Sequence, residues 1–246
     1  MARVRRATAI AGLGLAGDCN ASRASPRQVL VVGSTTVAQL KVDPADLRAN
    51  LVVSGIDVDR LPSGTVLRVG DVQIRLTLAC EPCRKLEAVR KGLARDTCGR
   101  RGTLGRIIVG GEFGVGNSVS IEQITLPGLE DKWQARVVDI LGRLPREKCV
   151  TYARLAEVAG LQSTYCRAFP SLLRRLADTN LPLERVVSTS VERSTTSRSK
   201  LQHKRASLWD GASYYLYSET LASRAFSQRS YSNAGENEQS GLQCEQ

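Results

Sequence analysis

Apolar residues in the first half of the chain come in short runs, not in helical stripes. Runs rich in Val, Ile and Leu recur at 28–33, 50–55, Thr65–Val69, Val72–Ala79, 106–109 and 118–124. Turn chemistry separates them, at Pro62-Ser63-Gly64, Gly70-Asp71, Gly110-Gly111 and Gly116-Asn117. Many short strands with evenly spaced turns predict a β-barrel or a similar closed sheet. Beyond Pro127-Gly128 the period changes. Trp133, Val137, Ile140, Leu141 and Leu144 fall on one helical face, which Pro145 ends. A second helix is predicted over 152–159, stopping at Gly160, and a third over 165–177, with Arg167, Arg174 and Arg175 among its polar positions. Three short helices with a Gly-ended turn between the last two make a helix-turn-helix pattern. After Val187 the chain turns Ser/Thr-rich with weak periodicity and reads as poorly ordered or loosely packed.

The fold class expected is therefore mixed α/β. It comprises a β-barrel-rich domain over 1–126, a linker over 127–131, a helical helix-turn-helix or winged-helix-like domain over 132–187, and a low-order tail over 188–246. At 246 residues the chain can hold one large domain or two small ones. No apolar run approaches the roughly 18–20 residues of a membrane span, so no membrane partner is expected. The basic N-terminus (Arg3, Arg5, Arg6) leads into a stretch broken by Gly12, Gly14 and Gly17, unlike a signal peptide. Seven irregularly spaced cysteines favour a reducing, cytoplasmic setting. Residues 1–129 and 130–205 each carry a net +7 and residues 206–246 carry −3, so the expected partners are anionic: nucleic acid or a phosphate-bearing ligand.

Cys80-Glu81-Pro82-Cys83 stands where the strand-like run over 72–79 gives way to a turn. Two thiols at this spacing can clamp a metal, form a redox disulfide, leave one thiolate as nucleophile or single metal ligand, or simply be buried. A zinc site needs a second pair or a nearby histidine, yet the single histidine is His203, in the tail, and Cys98 stands fifteen residues after Cys83. A thioredoxin-like pair needs a strand-to-helix turn in a βαβ unit, and the surroundings here are strand-rich. Arg84 and Lys85 directly after Cys83 would favour its thiolate.

Residues from about Ile10 to Ile121 resemble the MOSC domain, the C-terminal module of molybdenum cofactor sulfurases. The resemblance runs through Gly12-Leu13-Gly14-Leu15-Ala16-Gly17-Asp18, Arg27-Gln28-Val29-Leu30, Leu47-Arg48-Ala49-Asn50-Leu51-Val52-Val53-Ser54-Gly55 and Leu61-Pro62-Ser63-Gly64. It continues through Val69-Gly70-Asp71, the cysteine motif, Gly102-Thr103-Leu104-Gly105 and Gly110-Gly111. It implies a β-barrel-rich fold, a cysteine that carries sulfur or ligates molybdenum, and a family-level association with pyridoxal phosphate. That cysteine matches Cys83, with Cys80 as a second catalytic thiol. Arg84, Lys85 and Arg27 are expected to hold an anionic molybdenum cofactor or sulfur donor. A thiolate is a soft ligand suited to such a metal. Two positions depart from the family: Asp18 is followed by Cys19-Asn20-Ala21, and Gly116-Asn117 stands where Gly-Asp is usual.

Residues 132–187 resemble the DNA-binding domain of alkylguanine-DNA alkyltransferases and alkyltransferase-like proteins, through 144–156, Ala159-Gly160, Arg167-Ala168 and Leu181-Pro182-Leu183-Glu184-Arg185-Val186-Val187. The family's acceptor Cys-His falls on Leu183 and Glu184, so no alkyl transfer is expected. Arg167 matches the arginine that fills the gap left by a flipped base, and Tyr152 the tyrosine that crowds the phosphate there. Arg174 and Arg175 suit phosphate contacts. Two functions follow: a molybdenum-linked MOSC sulfur carrier or oxidoreductase with an appended DNA-binding domain, or a non-enzymatic DNA lesion binder.

Overall fold

Backbone pairing follows most of the apolar runs. In a computed structural model, which describes residues 3–188, 207–216 and 219, the chain forms β1 (Arg6–Ile10), β2 (Gly14–Leu15), β3 (Val29–Gly33), α1 (Ser34–Leu40), α2 (Pro44–Leu47), β4 (Leu51–Val53), β5 (Thr65–Val69) and β6 (Val72–Ala79). There follow α3 (Leu93–Asp96), β7 (Thr103–Val109), β8 (Gly111–Gly114) and β9 (Val119–Thr125). The main sheet has the order β4-β3-β7-β6-β5-β9, and β2-β1-β8 form a smaller one that the chain enters as it bends at Gly110 between β7 and β8. The architecture is mixed α/β, as expected. The sheet, however, is a curled half-barrel and not a closed barrel: β4, only three residues long, and β9 are its free edges. The pattern of apolar runs missed β1, β2 and β8. It also missed the four- to seven-residue helices α1 to α3, which are too short to show a helical period.

Side-chain alternation gives the main sheet two unlike faces. Val72, Ile74 and Leu76 of β6 join Val29, Val31, Leu67, Val69 and Ile107 in one apolar cluster. Gln73, Arg75 and Thr77 point the other way, with Arg106 on the neighbouring β7 and Gln28 just before β3, and all five are buried. A buried polar face must find partners for its donors and acceptors. Gln28 donates to the Gly12 and Ser22 carbonyls and accepts from the Ile107 N–H, and Thr77 donates to the Pro26 carbonyl at 2.7 Å.

The second unit comprises α4 (Trp133–Gly142), β10 (Lys148–Thr151), α5 (Tyr152–Val158), α6 (Phe169–Arg175), β11 (Val186–Val187) and β12 (Ser207–Leu208). The face predicted for α4 is the face it buries: Val137, Ile140, Leu141 and Leu144 pack with Leu155, Val158, Phe169 and Leu172. The Thr151 hydroxyl caps α5 by accepting from the Arg154 N–H. The third expected helix is divided into a 3-10 turn over Ser163–Arg167 and α6, because Pro170 sits in the first turn of α6 and restarts the helix. β10 pairs in parallel with β11 and β12.

The stretch 188–246 was expected to pack loosely, yet residues 207–216 do not. Trp209 and Tyr215 are buried in the helical core, and the Tyr215 hydroxyl donates to the Val158 carbonyl at 2.5 Å. Apart from Ser188 and Glu219, the remainder of that stretch, His203 included, lies outside the described residues. No helix among the described residues is long and apolar enough to cross a membrane.

The two units meet at the turn after α5. Gly160 has φ +69°, and a Cβ there would lie 2.6 Å from Leu78 Cδ1 and 2.8 Å from Pro26 Cγ. Arg27 donates to the Gly160 carbonyl at 3.1 Å, and the Ser22 hydroxyl bonds the Glu157 carboxylate. Gly160→Ala is therefore expected to cost about 2–3 kcal/mol in urea denaturation, combining backbone strain with overpacking. Gly17→Ala, at φ +75° in open space, isolates the strain and is expected to cost only about 1 kcal/mol.

Candidate functional site

The end of β6 is held rigidly. The Cys80 N–H donates to the Gly102 carbonyl at 2.9 Å. Arg101, 6% exposed, reaches over the turn and donates to the Glu81 carbonyl at 2.5 Å and the Leu47 carbonyl at 3.4 Å. Cys83 then adopts an extended conformation (φ −130°, ψ 156°) and leads a 3-10 turn over Arg84–Ala88, its carbonyl accepting from the Leu86 N–H at 3.0 Å. Leu86 is buried and pins this turn to the core formed with Leu30, Leu40, Leu47 and Leu93. The Glu87 carboxylate accepts from the Gly92 and Ala94 N–H groups at 2.9 and 3.0 Å and so fixes the start of α3. The loop carrying the cysteines is thus tied at both ends.

Its two thiols differ. Cys80 is 6% exposed, and burial pushes its thiol pKa up, against the opposing pull of the Arg101 and Arg27 cations. Cys83 is half-buried, with its side chain at the edge of the same core. Both cysteines are free. Cys80 is therefore a packing residue with a suppressed thiolate, whereas Cys83 has solvent access.

Residues 20–122 match the MOSC domain. The MOSC domain so delimited begins after β1 and β2 and ends within β9. No curated protein matches the chain. Among solved structures, the chain is similar to YiiM from Escherichia coli (22% identity, 70% of this chain and 86% of that chain covered, TM-score 0.41). It is also similar to the YuaD protein from Bacillus subtilis (18%, 48% and 85%, TM-score 0.41) and to YiiM from Geobacillus stearothermophilus (12%, 69% and 76%, TM-score 0.37).

The cations expected beside Cys83 in the MOSC domain divide into two groups. Arg84 and Lys85 are exposed, and no hydrogen bond or ion pair within the described residues holds them. Arg27 instead lines a cleft of about 210 Å³ between the two units, with Glu81, Asp131, Arg136, Gln162 and Tyr165. Arg136 is buried there and donates to the Ala159, Glu130 and Asp131 carbonyls. Arg27 and Glu81 thus relate the cysteine loop to the helical unit. A second cleft of about 620 Å³ lies between α1 and the 3-10 turn Val58–Arg60, and burial pushes the Asp59 carboxyl pKa up there while it accepts from the Thr36 hydroxyl and the Gly102 N–H. Arg101 and Asp59 escaped the sequence reading. Arg101 directly precedes the glycine of a quoted family segment, and that position was the available signal.

For the nucleic-acid residues, Arg167, Arg174 and Arg175 are exposed on the 3-10 turn and α6. Tyr152 is half-buried and meets Phe169 edge-on, with ring centroids 5.7 Å apart. Leu183 packs against the helical core and Glu184 is exposed. Alkylation of the folded protein with iodoacetamide at pH 8, mapped by peptide mass spectrometry, is expected to modify Cys83 and the exposed Cys19 and Cys98 at least about ten times faster than Cys80. Equal rates for Cys80 and Cys83 would contradict the division of roles.

Proposed function

We propose that this chain, through the segment 20–122 that matches the MOSC domain, uses Cys83 as its reacting thiol, to carry sulfur linked to molybdenum or to ligate molybdenum in the reduction of an oxidised nitrogen substrate. The observation that carries the reading is the contrast within one motif: Cys83 is accessible at a fixed turn, and Cys80 is buried with its thiolate disfavoured. The surroundings fit an anionic, thiophilic group. Cys83 is the soft donor, Arg84 and Lys85 beside it are cations without an ion pair among the described residues, and Arg101 Nε behind the same turn is a buried donor without a hydrogen-bond partner among them. When bound, molybdenum supplies two-electron redox and atom-transfer chemistry. The chain's own part is to hold Cys83 on a backbone tied to Leu86, to draw the anionic group with Arg84 and Lys85, and to keep Cys80 protonated and out of competition.

The test is metal content. Protein isolated from cells able to make the cofactor is expected to retain molybdenum by mass spectrometry, Cys83→Ser to lose at least about ten-fold, and Cys80→Ser to keep most of it. Equal content in wild type and Cys83→Ser would sink the assignment.

A second reading belongs to the helical unit. Arg167 on the 3-10 turn and Arg174 and Arg175 in the last turn of α6 are exposed, and Arg167 and Arg175 have no ion pair among the described residues. We propose a non-catalytic DNA-binding role for this surface, of the alkyltransferase-like type, in which Arg167 enters the stack and Arg174 and Arg175 contact phosphates. Leu183 brings no nucleophile, so the role is recognition. Arg167→Ala is expected to weaken binding to an alkylguanine duplex about 5- to 100-fold more than to the unmodified duplex. Arg175→Ala should weaken both equally and lower the salt slope by about one. Equal losses in Arg167→Ala would reduce the surface to generic polyanion binding.

A further inference from the structure

Arg75 and Arg106 stand directly opposite each other on β6 and β7, and facing residues on paired strands project from the same side of a sheet. Both are buried, at 3% and 1% exposure, and Arg106 is the largest fully buried side chain among the described residues. Two like charges so placed repel each other and carry a desolvation penalty, so an anion beside them stabilises the arrangement.

The Arg106 guanidinium is positioned by the MOSC domain itself. Its Nη1 donates to the Ser25 carbonyl at 2.6 Å and to the Arg23 carbonyl at 3.1 Å. That leaves the Nε–Nη2 edge as a preset fork, the geometry that grips a carboxylate or phosphate in two places. Arg75 is fixed in turn by a 2.5 Å bond from Nη2 to the Pro127 carbonyl. The fork holds the Glu219 carboxylate, with Nε to Oε1 at 2.5 Å and Nη2 to Oε2 at 3.2 Å, and the Tyr215 ring lies 4.2 Å below the guanidinium carbon. Burial pushes the Arg75 pKa down, and the Glu219 charge opposes that shift. Glu219 lies 113 residues along the chain from Arg106, beyond the strap 207–216. The cradle is thus built by residues 23–127, and its occupant is delivered from outside the MOSC domain.

We propose that Arg75 and Arg106 form a binding site for a small oxyanion, phosphate or a carboxylate, which Glu219 fills as a tethered internal ligand. Tethering gives Glu219 a high effective concentration, so it outcompetes free anions for the fork. This site is separate from Cys83 and does not depend on its role.

The test is titration of the full chain with inorganic phosphate at low ionic strength, followed by calorimetry and thermal unfolding. Glu219→Gln, which keeps the shape but removes the charge, is expected to bind phosphate at least about ten times more tightly than wild type and to gain thermal stability from it. Adding Arg106→Gln should abolish both effects. Acetate in place of phosphate separates the two sources: tighter phosphate binding assigns a phosphate ligand, and tighter acetate binding assigns a carboxylate. Glu219→Ala enlarges the vacancy, and recovery of its folding by phosphate would count for the site. Absence of saturable binding of either anion to Glu219→Gln, or binding that survives Arg106→Gln, overturns the proposal.

Discussion

The constraint on which this structure rests is the burial of charge on one face of a β-sheet. A guanidinium removed from water must have its donors satisfied and its charge balanced, or the folded state loses several kcal/mol. Arg106 meets that demand with two carbonyls from residues 23–25 and the Glu219 carboxylate. Arg75 draws in the Pro127 carbonyl, and Arg136 holds the carbonyls of residues 130, 131 and 159. The loop before β3, the link between the units and the strap at 207–216 are therefore fixed by the same buried cations. The helical unit is a cover for the sheet and cannot move independently of it without exposing or orphaning these groups.

The cysteine loop shows how one short motif acquires two chemistries. Cys80 ends a buried strand and is sealed by Arg101 and the core, so its thiol behaves as a small apolar group. Three residues later the chain has turned outward, and Cys83 has solvent on one side and the Leu86 anchor on the other. Rigidity comes from Glu87 capping α3 and from the bond between Cys80 and Gly102, neither of which touches the thiol that is left accessible. A rigid support beneath one half-buried, accessible thiol suits the ligand role proposed for Cys83.

Much of the sheet was legible from the pattern of apolar runs, since β3, β5, β6 and β9 fall where they predicted. The buried face of α4 was legible for the same reason: both periods are local. The closure of the sheet was not, because pairing at its edges depends on strands distant in sequence. The division of the third helix was legible in principle from Pro170. The hydrogen bond from Arg27 to the Gly160 carbonyl, across the unit boundary and 133 residues away in sequence, was not legible. Arg101 and Asp59 had no pattern of their own to mark them, since a single polar residue between apolar ones looks the same whether its side chain is buried or solvated.

By itself the sequence determined the longer strands of the main sheet and the helical period of the second unit, the position of the cysteine motif at a strand end, and the basic character of both units, because periodicity, turn residues and charge are properties of neighbouring positions. It assigned the alternating polar residues of β6 to no particular surroundings, and it marked 188–246 as loosely packed. Only the tertiary structure decided that Gln73, Arg75 and Thr77 are buried, that Trp209 and Tyr215 complete the helical core, and that Cys80 and Cys83 differ in access to solvent. The physical reason is the same in each case. Burial and charge pairing are settled by what covers a face, and here the cover comes from segments tens to more than a hundred residues away.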